Sequence, residues 1–96
     1  MTERAMAELS SRPQLTAHRR LRFDQARNSW TIQAPERVFL LDEIAYAIIS
    51  RCDGEKTVSD VIDELCRTYA EAPREAVSTD VMKLLQDFAD KGVLTL

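Results

Sequence analysis

The segment from Arg37 to Gly54, RVFLLDEIAYAIISRCDG, constrains this chain most. It opens as a strand in which Val38 and Leu40 point to one side and Phe39 and Leu41 to the other, because side chains alternate along a strand. A half-exposed strand alternates apolar with polar residues. This one is apolar on both faces and asks for cover on both. The chain has no succession of βαβ units that would bury it in a parallel sheet. The strand is therefore either core or a docking edge for a partner.

At 96 residues the chain supports one domain with one core. A chain of this size buries roughly 60–65% of its unfolded surface, so no sizeable internal cavity is expected. The net charge of -3 gives no overall pull toward nucleic acid. Residues 1–52 carry eight Lys and Arg against six Asp and Glu, and residues 53–96 carry five against ten. The basic group His18, Arg19, Arg20, Arg22 and Arg27 reads as a solvated strand and turn. No apolar run reaches the roughly 18 residues of a membrane span, and no apolar h-region follows the N-terminus. A cytoplasmic chain with Cys52 and Cys66 reduced is the expectation. Residues 1–15 read as a weakly ordered tail before a single domain over 16–96.

Along the chain, His18 to Asp24 alternates, with Arg20 and Arg22 opposite Leu21 and Phe23, and reads as a strand. A polar turn over 24–29, with Asn28 suited to its bend, leads to a second strand in which Trp30, Ile32 and Ala34 share a face. Pro35 and Glu36 separate it from the third strand, Arg37–Leu41. Asp42 is placed to cap a helix whose inner stripe is Ile44, Ala45 and Ile48 and whose end lies near Cys52, with Gly54 beyond it. Thr57 and Asp60 form a capping-box signature ahead of Val58, Val61, Ile62, Leu65, Cys66 and Tyr69 at helical spacing. Pro73 suits the first position of a third helix, with stripe residues Ala76, Val77, Val81, Leu84, Leu85 and Phe88 and a stop at Gly92. Val93–Leu96 either packs on the core or adds a strand. The order is βββααα: an α+β chain with a three-stranded antiparallel sheet followed by a three-helix cluster.

Little here carries chemistry. His18 is the sole histidine, and a Cys–His nucleophile would need it near Cys52 or Cys66. Cys66 falls on an apolar stripe, where thiols are inert. Two cysteines and one histidine without a CxxC motif do not assemble a zinc site, and two glycines do not make a phosphate loop. No enzyme, cofactor or metal is expected. The second and third helices resemble a helix-turn-helix with the strands as a wing, so a winged-helix regulator that binds DNA or another protein is the alternative. Its recognition helix would present Arg74, Lys83 and Lys91 against Glu75, Asp80, Asp87 and Asp90, a net negative head for phosphate. If Arg22, Arg27 and Arg37 lined one face with the third helix, that alternative would gain. Peptide binding fits the remaining feature: an edge strand offers backbone groups to an extended peptide, and the third helix forms the other wall. The competing reading is that Phe39, Leu41, Val81 and Leu84 simply pack on one another.

Several pieces in order resemble the PqqD family of pyrroloquinoline quinone biosynthesis: RLRFD at Arg20–Asp24, RNSW at Arg27–Trp30, APERVFLLDE at Ala34–Glu43, CDGEKTV at Cys52–Val58, the DV and LL pairs within Asp80–Leu85, and VL at Val93–Leu94. The resemblance implies a winged-helix-like, non-enzymatic module of the leader-recognition type. Such a module holds the precursor peptide PqqA and presents it to the radical SAM enzyme PqqE, which joins a glutamate and a tyrosine of the peptide. It places the peptide on the third strand, Arg37, Val38, Phe39, Leu40 and Leu41, and against the third helix at Val77, Val81, Leu84, Leu85 and Phe88. Exposed strand edges also leave room for a homodimer, including a strand-swapped one.

Overall fold

The computed structural model describes residues 5–96. Its elements are β1 (Gln14–Leu15), β2 (Arg20–Asp24), β3 (Ser29–Gln33), β4 (Val38–Leu41), α1 (Glu43–Ile49), α2 (Val58–Thr68), α3 (Arg74–Asp90) and β5 (Leu94–Thr95). β2, β3 and β4 form an antiparallel sheet in that order, and β1 pairs antiparallel with β5 in a second, two-stranded one. The α+β arrangement of a three-stranded sheet followed by three helices is the expected one.

The hairpin turn rests on Asn28, whose φ of 52° is one that Asn adopts more readily than most residues. Register aligns Leu21, Ile32 and Phe39 on the inner face, followed by Phe23, Trp30 and Leu41. Trp30 meets Phe23 edge-on and stacks on Tyr46 of α1 at 4.5 Å between ring centres. The core behind this face contains Ile32, Ile48, Val58, Val61, Ile62, Val81, Leu85 and Val93, each at most 1% exposed.

α1 and α2 start at the caps expected for them, while Pro73 is the N-cap of α3 rather than its expected first residue. Asp42 Oδ1 accepts from the Ala45 amide at 2.7 Å, opening α1. The Thr57 hydroxyl accepts from the Asp60 amide, and the Asp60 carboxylate accepts from the Thr57 amide. Those amide bonds hold the Asp60 carboxyl below its ordinary range. Pro73 stands one place before α3, whose first turn closes when the Val77 amide donates to the Pro73 carbonyl.

Four further expectations differ from the structure. Residues 1–4 of the proposed tail lie outside the described residues, but residues 5–15 are tied to the domain. The Val58 and Ser59 amides donate to the Ser11 and Leu9 carbonyls. The first turn of a helix leaves amides without intrahelical partners, and here the incoming chain supplies acceptors. Pro13 is buried, and its carbonyl accepts from Gly54, which holds φ +81°. Gln86 of α3 donates to the Ala5 carbonyl and accepts from the Ala7 amide.

β4 is not covered on both faces: Val38 is 48% and Leu40 63% exposed. The inner stripe of α1 is Ala45, Ala47, Ile48 and Ile49, and Ile44 stands outside it at 46% exposure, because a three-helix cluster this small closes over only part of a seven-residue helix. The buried thiol is Cys52, and Cys66 is half-buried. Val93 and Leu94 do both things expected of the C-terminal segment, packing in the core while Leu94–Thr95 pairs with β1.

Candidate functional site

Among the described residues β4 is an edge strand, hydrogen-bonded to β3 alone within its sheet. The Ala34 amide donates to the Arg37 carbonyl. Bonded and non-bonded pairs alternate along an antiparallel ladder, so Phe39 and Leu41 turn their backbone groups to β3. Val38 and Leu40 turn theirs to the open side. Four residues at about 3.3 Å each make an open edge of about 13 Å.

The side chains split by face. Phe39 points inward and meets Phe88 of α3 edge-on, with ring centres 6.0 Å apart. The Arg37 guanidinium lies 4.7 Å over the Phe39 ring, and the Lys91 ammonium 6.0 Å from the centre of Phe88. Val38 and Leu40 lie on the outer face, aligned with Gln33 and Thr31 of β3 and then with Arg20 and Arg22 of β2. Thr31 is fully buried there, and its hydroxyl donates to the Arg22 carbonyl at 2.9 Å.

Beyond the end of β4, a groove runs between α1 and α3. Ile44, Ala45 and Ile48 form one side, Leu84 the other, with Asp42, Asp80, Lys83 and Asp87 at the rim. It continues into an apolar hollow of about 140 Å³ bordered by Ile44, Ile48, Val77 and Tyr69. Small-molecule sites occupy roughly 300–1,000 Å³. The hollow suits one or two side chains rather than a cofactor.

The ten residues expected at a peptide site fall into three groups. Leu41, Val81, Leu85 and Phe88 are core, none more than 6% exposed. Phe39, Val77 and Leu84 are partly buried and pack against that core, Val77 and Leu84 beside the groove and hollow and Phe39 at a separate cleft with Arg37 and Lys91. Arg37, Val38 and Leu40 are exposed, the last two on the face away from α3. Sequence reasoning missed Ile44 as a groove wall, and Arg19 and Lys91 as neighbours of Arg37. The signal for Ile44 was its place four residues before Ile48, which puts both on one side of α1.

Reactive chemistry finds little footing. Burial, with the Asp53 charge second, pushes the Cys52 thiol up to about 12, and its sulfur donates to the Ile48 carbonyl. A thiol held protonated is not a nucleophile at neutral pH. Among the described residues no group of three His, Cys, Asp or Glu side chains is placed to hold a metal. The three arginines that would have favoured a nucleic-acid reading stand apart. Arg22 is on the outer sheet face, Arg27 pairs with Asp24 in the hairpin turn at 2.7 Å, and Arg37 lies over Phe39. On α3, Arg74 is paired with Asp63 and Lys91 with Asp87.

The family model described as Coenzyme PQQ synthesis protein D (PqqD) matches residues 29–94. A Bradyrhizobium diazoefficiens protein named PqqA binding protein is 54% identical over 86 residues, spanning 90% of this chain and 82% of that one. The bifunctional coenzyme PQQ synthesis protein C/D of Methylorubrum extorquens is 40% identical over 82 residues, 85% of this chain but 22% of the fusion. The fold is similar to the solution structure of a PqqD truncation of Methylobacterium extorquens PqqCD, described as a functional, stand-alone recognition element for ribosomally synthesized, post-translationally modified peptides. That likeness has a TM-score of 0.80 at 38% identity and covers 97% of both chains.

Proposed function

This chain belongs to the PqqD family, and from that premise we propose that it is a non-enzymatic chaperone for a PqqA precursor peptide. The peptide adds as a fourth strand to the open edge of β4. Its backbone pairs with Val38 and Leu40, its inward side chains pack beside Phe39, and past the strand it runs into the groove between Ile44 and Leu84. Main-chain bonds supply affinity, and the groove chooses side chains. The observation that carries this reading is the conjunction of an unpaired apolar edge with a groove against α3.

Held this way, the peptide is presented to a PqqE-like radical SAM enzyme in the cytoplasm. Among the described residues no helix is long and apolar enough to cross a membrane. A second copy would use the same β4 edge, so self-association competes with peptide. The test is a reconstitution. PqqA incubated with this protein alone should keep its mass, and adding the protein to PqqA and PqqE should raise the yield of cross-linked peptide. A changed peptide mass without PqqE, or a PqqE yield indifferent to this protein, would contradict the proposal.

A further inference from the structure

The two ends of the β4 groove carry opposite charge. At the head of the strand, a cleft floored by Phe39 is lined by Arg19, Arg37 and Lys91 against one carboxylate, Glu36. Past the far end of the strand, Asp42, Asp80 and Asp87 border the groove against one cation, Lys83. Lys91 and Asp87 pair with each other at 2.9 Å, which leaves the head net positive by one and the far end net negative by one.

The cations at the head are incompletely used. Arg19 donates one Nη to the Ala17 carbonyl at 2.8 Å, while its Nε is buried and has no hydrogen-bond partner among the described residues. A buried donor without an acceptor is costly and marks a place where an acceptor belongs. Arg37 spends its guanidinium plane on Phe39, which leaves its edge donors free to turn outward. Lys91 shares Asp87 at an exposed pair, a contact of little strength.

We propose that this cleft is a carboxylate subsite: an Asp or Glu side chain of the β4-paired peptide sits among Arg19, Arg37 and Lys91. The inference rests on the peptide-binding reading above and deepens it. Guanidinium and ammonium donors recognise a carboxylate by charge-assisted hydrogen bonds, which are shorter and stronger than neutral ones. The acidic far end repels a second carboxylate. The position of the peptide's acidic residue therefore selects the direction in which the strand lies along β4.

The test is a set of binding titrations with synthetic PqqA, monitored alongside circular dichroism to confirm folding. The double variant Arg37→Gln, Lys91→Gln should bind about tenfold more weakly, with a shallower salt dependence. Replacing each Asp or Glu of the peptide in turn by its amide should find one position that costs wild type about the same factor and costs the double variant nothing further. Arg67→Gln, at an exposed cation on α2 away from both clefts, should leave affinity within about twofold. The inference is overturned if the double variant binds PqqA as wild type does, if no peptide carboxylate couples to it, or if Arg67→Gln weakens binding as much. If wild type itself does not bind PqqA, the functional reading fails before the subsite is reached.

Discussion

β2 and β4 both lie at an edge of the same sheet, each paired only with β3 among the described residues, yet they are finished in opposite ways. β2 carries Arg20, Arg22 and Asp24 on its outer face, and Asp24 is tied to Arg27 in the following turn. Charged residues on an edge are the usual defence against pairing with another chain. β4 is VFLL, without a charge in its four residues, and its exposed side chains are Val38 and Leu40. It also has what β2 lacks, a groove between α1 and α3 that opens just beyond its end at Asp42. One edge is guarded and the other is left open beside a wall, and an incoming strand needs both openness and a wall.

The largest effect should come from what the two edges share. Ile32 is fully buried in the central strand, aligned with Leu21 of β2 and Phe39 of β4. Ile32→Ala should cost about 2–5 kcal/mol in denaturant unfolding. An unchanged unfolding midpoint would mean that the edges do not depend on a common core.

Next comes the wall. Leu84 is half-buried on α3 at the groove. Leu84→Ala should weaken PqqA binding by about 2 kcal/mol, close to thirtyfold in dissociation constant by calorimetry. Unchanged affinity would remove α3 from the binding surface and leave β4 as an edge without a wall.

A smaller effect should follow from giving β4 the finish of β2. Leu40→Lys places a charge in line with Arg22, across Thr31. It should change stability by no more than about 0.5 kcal/mol. It should weaken PqqA binding by up to about 1 kcal/mol, the worth of a cross-strand side-chain pair. Arg22→Val on the guarded edge should leave affinity alone. Equal losses at both positions would erase the distinction between the edges.

The smallest effect concerns the guard itself. The hydrogen bond from Arg27 holds the Asp24 carboxyl below its ordinary 3.8. A carboxyl lowered in the fold adds stability above its unfolded pKa and loses it as pH falls through the folded value. Acid titration should therefore loosen the β2–β3 turn only below about pH 4, and Asp24→Asn should flatten that step. A step that persists in Asp24→Asn would assign it to another carboxylate.

How far these features can be read from sequence depends on the range of the interactions behind them. α2 was legible almost to the residue, because its capping box and 3.6-residue stripe are local. The Asp42 cap and the Asn28 turn are local as well. The docking of residues 5–15 was not legible. It rests on backbone carbonyls of Leu9, Ser11 and Pro13 reaching amides more than forty residues away, and a carbonyl has no sequence signature. The same limit applies to the candidate site. β4 and α3 stood out by their apolar residues, but which of those are core, such as Val81 and Leu85, and which face the groove, such as Leu84, depends on how α3 is rotated against α1. Ile44 shares a side of α1 with the buried Ile48 but is left uncovered for the same reason.

The account is tested most directly by amide exchange with and without saturating PqqA. By the alternation of the ladder, the outward amides of β4 are those of Val38 and Leu40, and those of β2 are Leu21 and Phe23. Strand addition at the open edge predicts that exchange slows at Val38 and Leu40 when peptide binds, while Leu21 and Phe23 keep their rates. Peptide-induced protection at Leu21 and Phe23, or none at Val38 and Leu40, would contradict it.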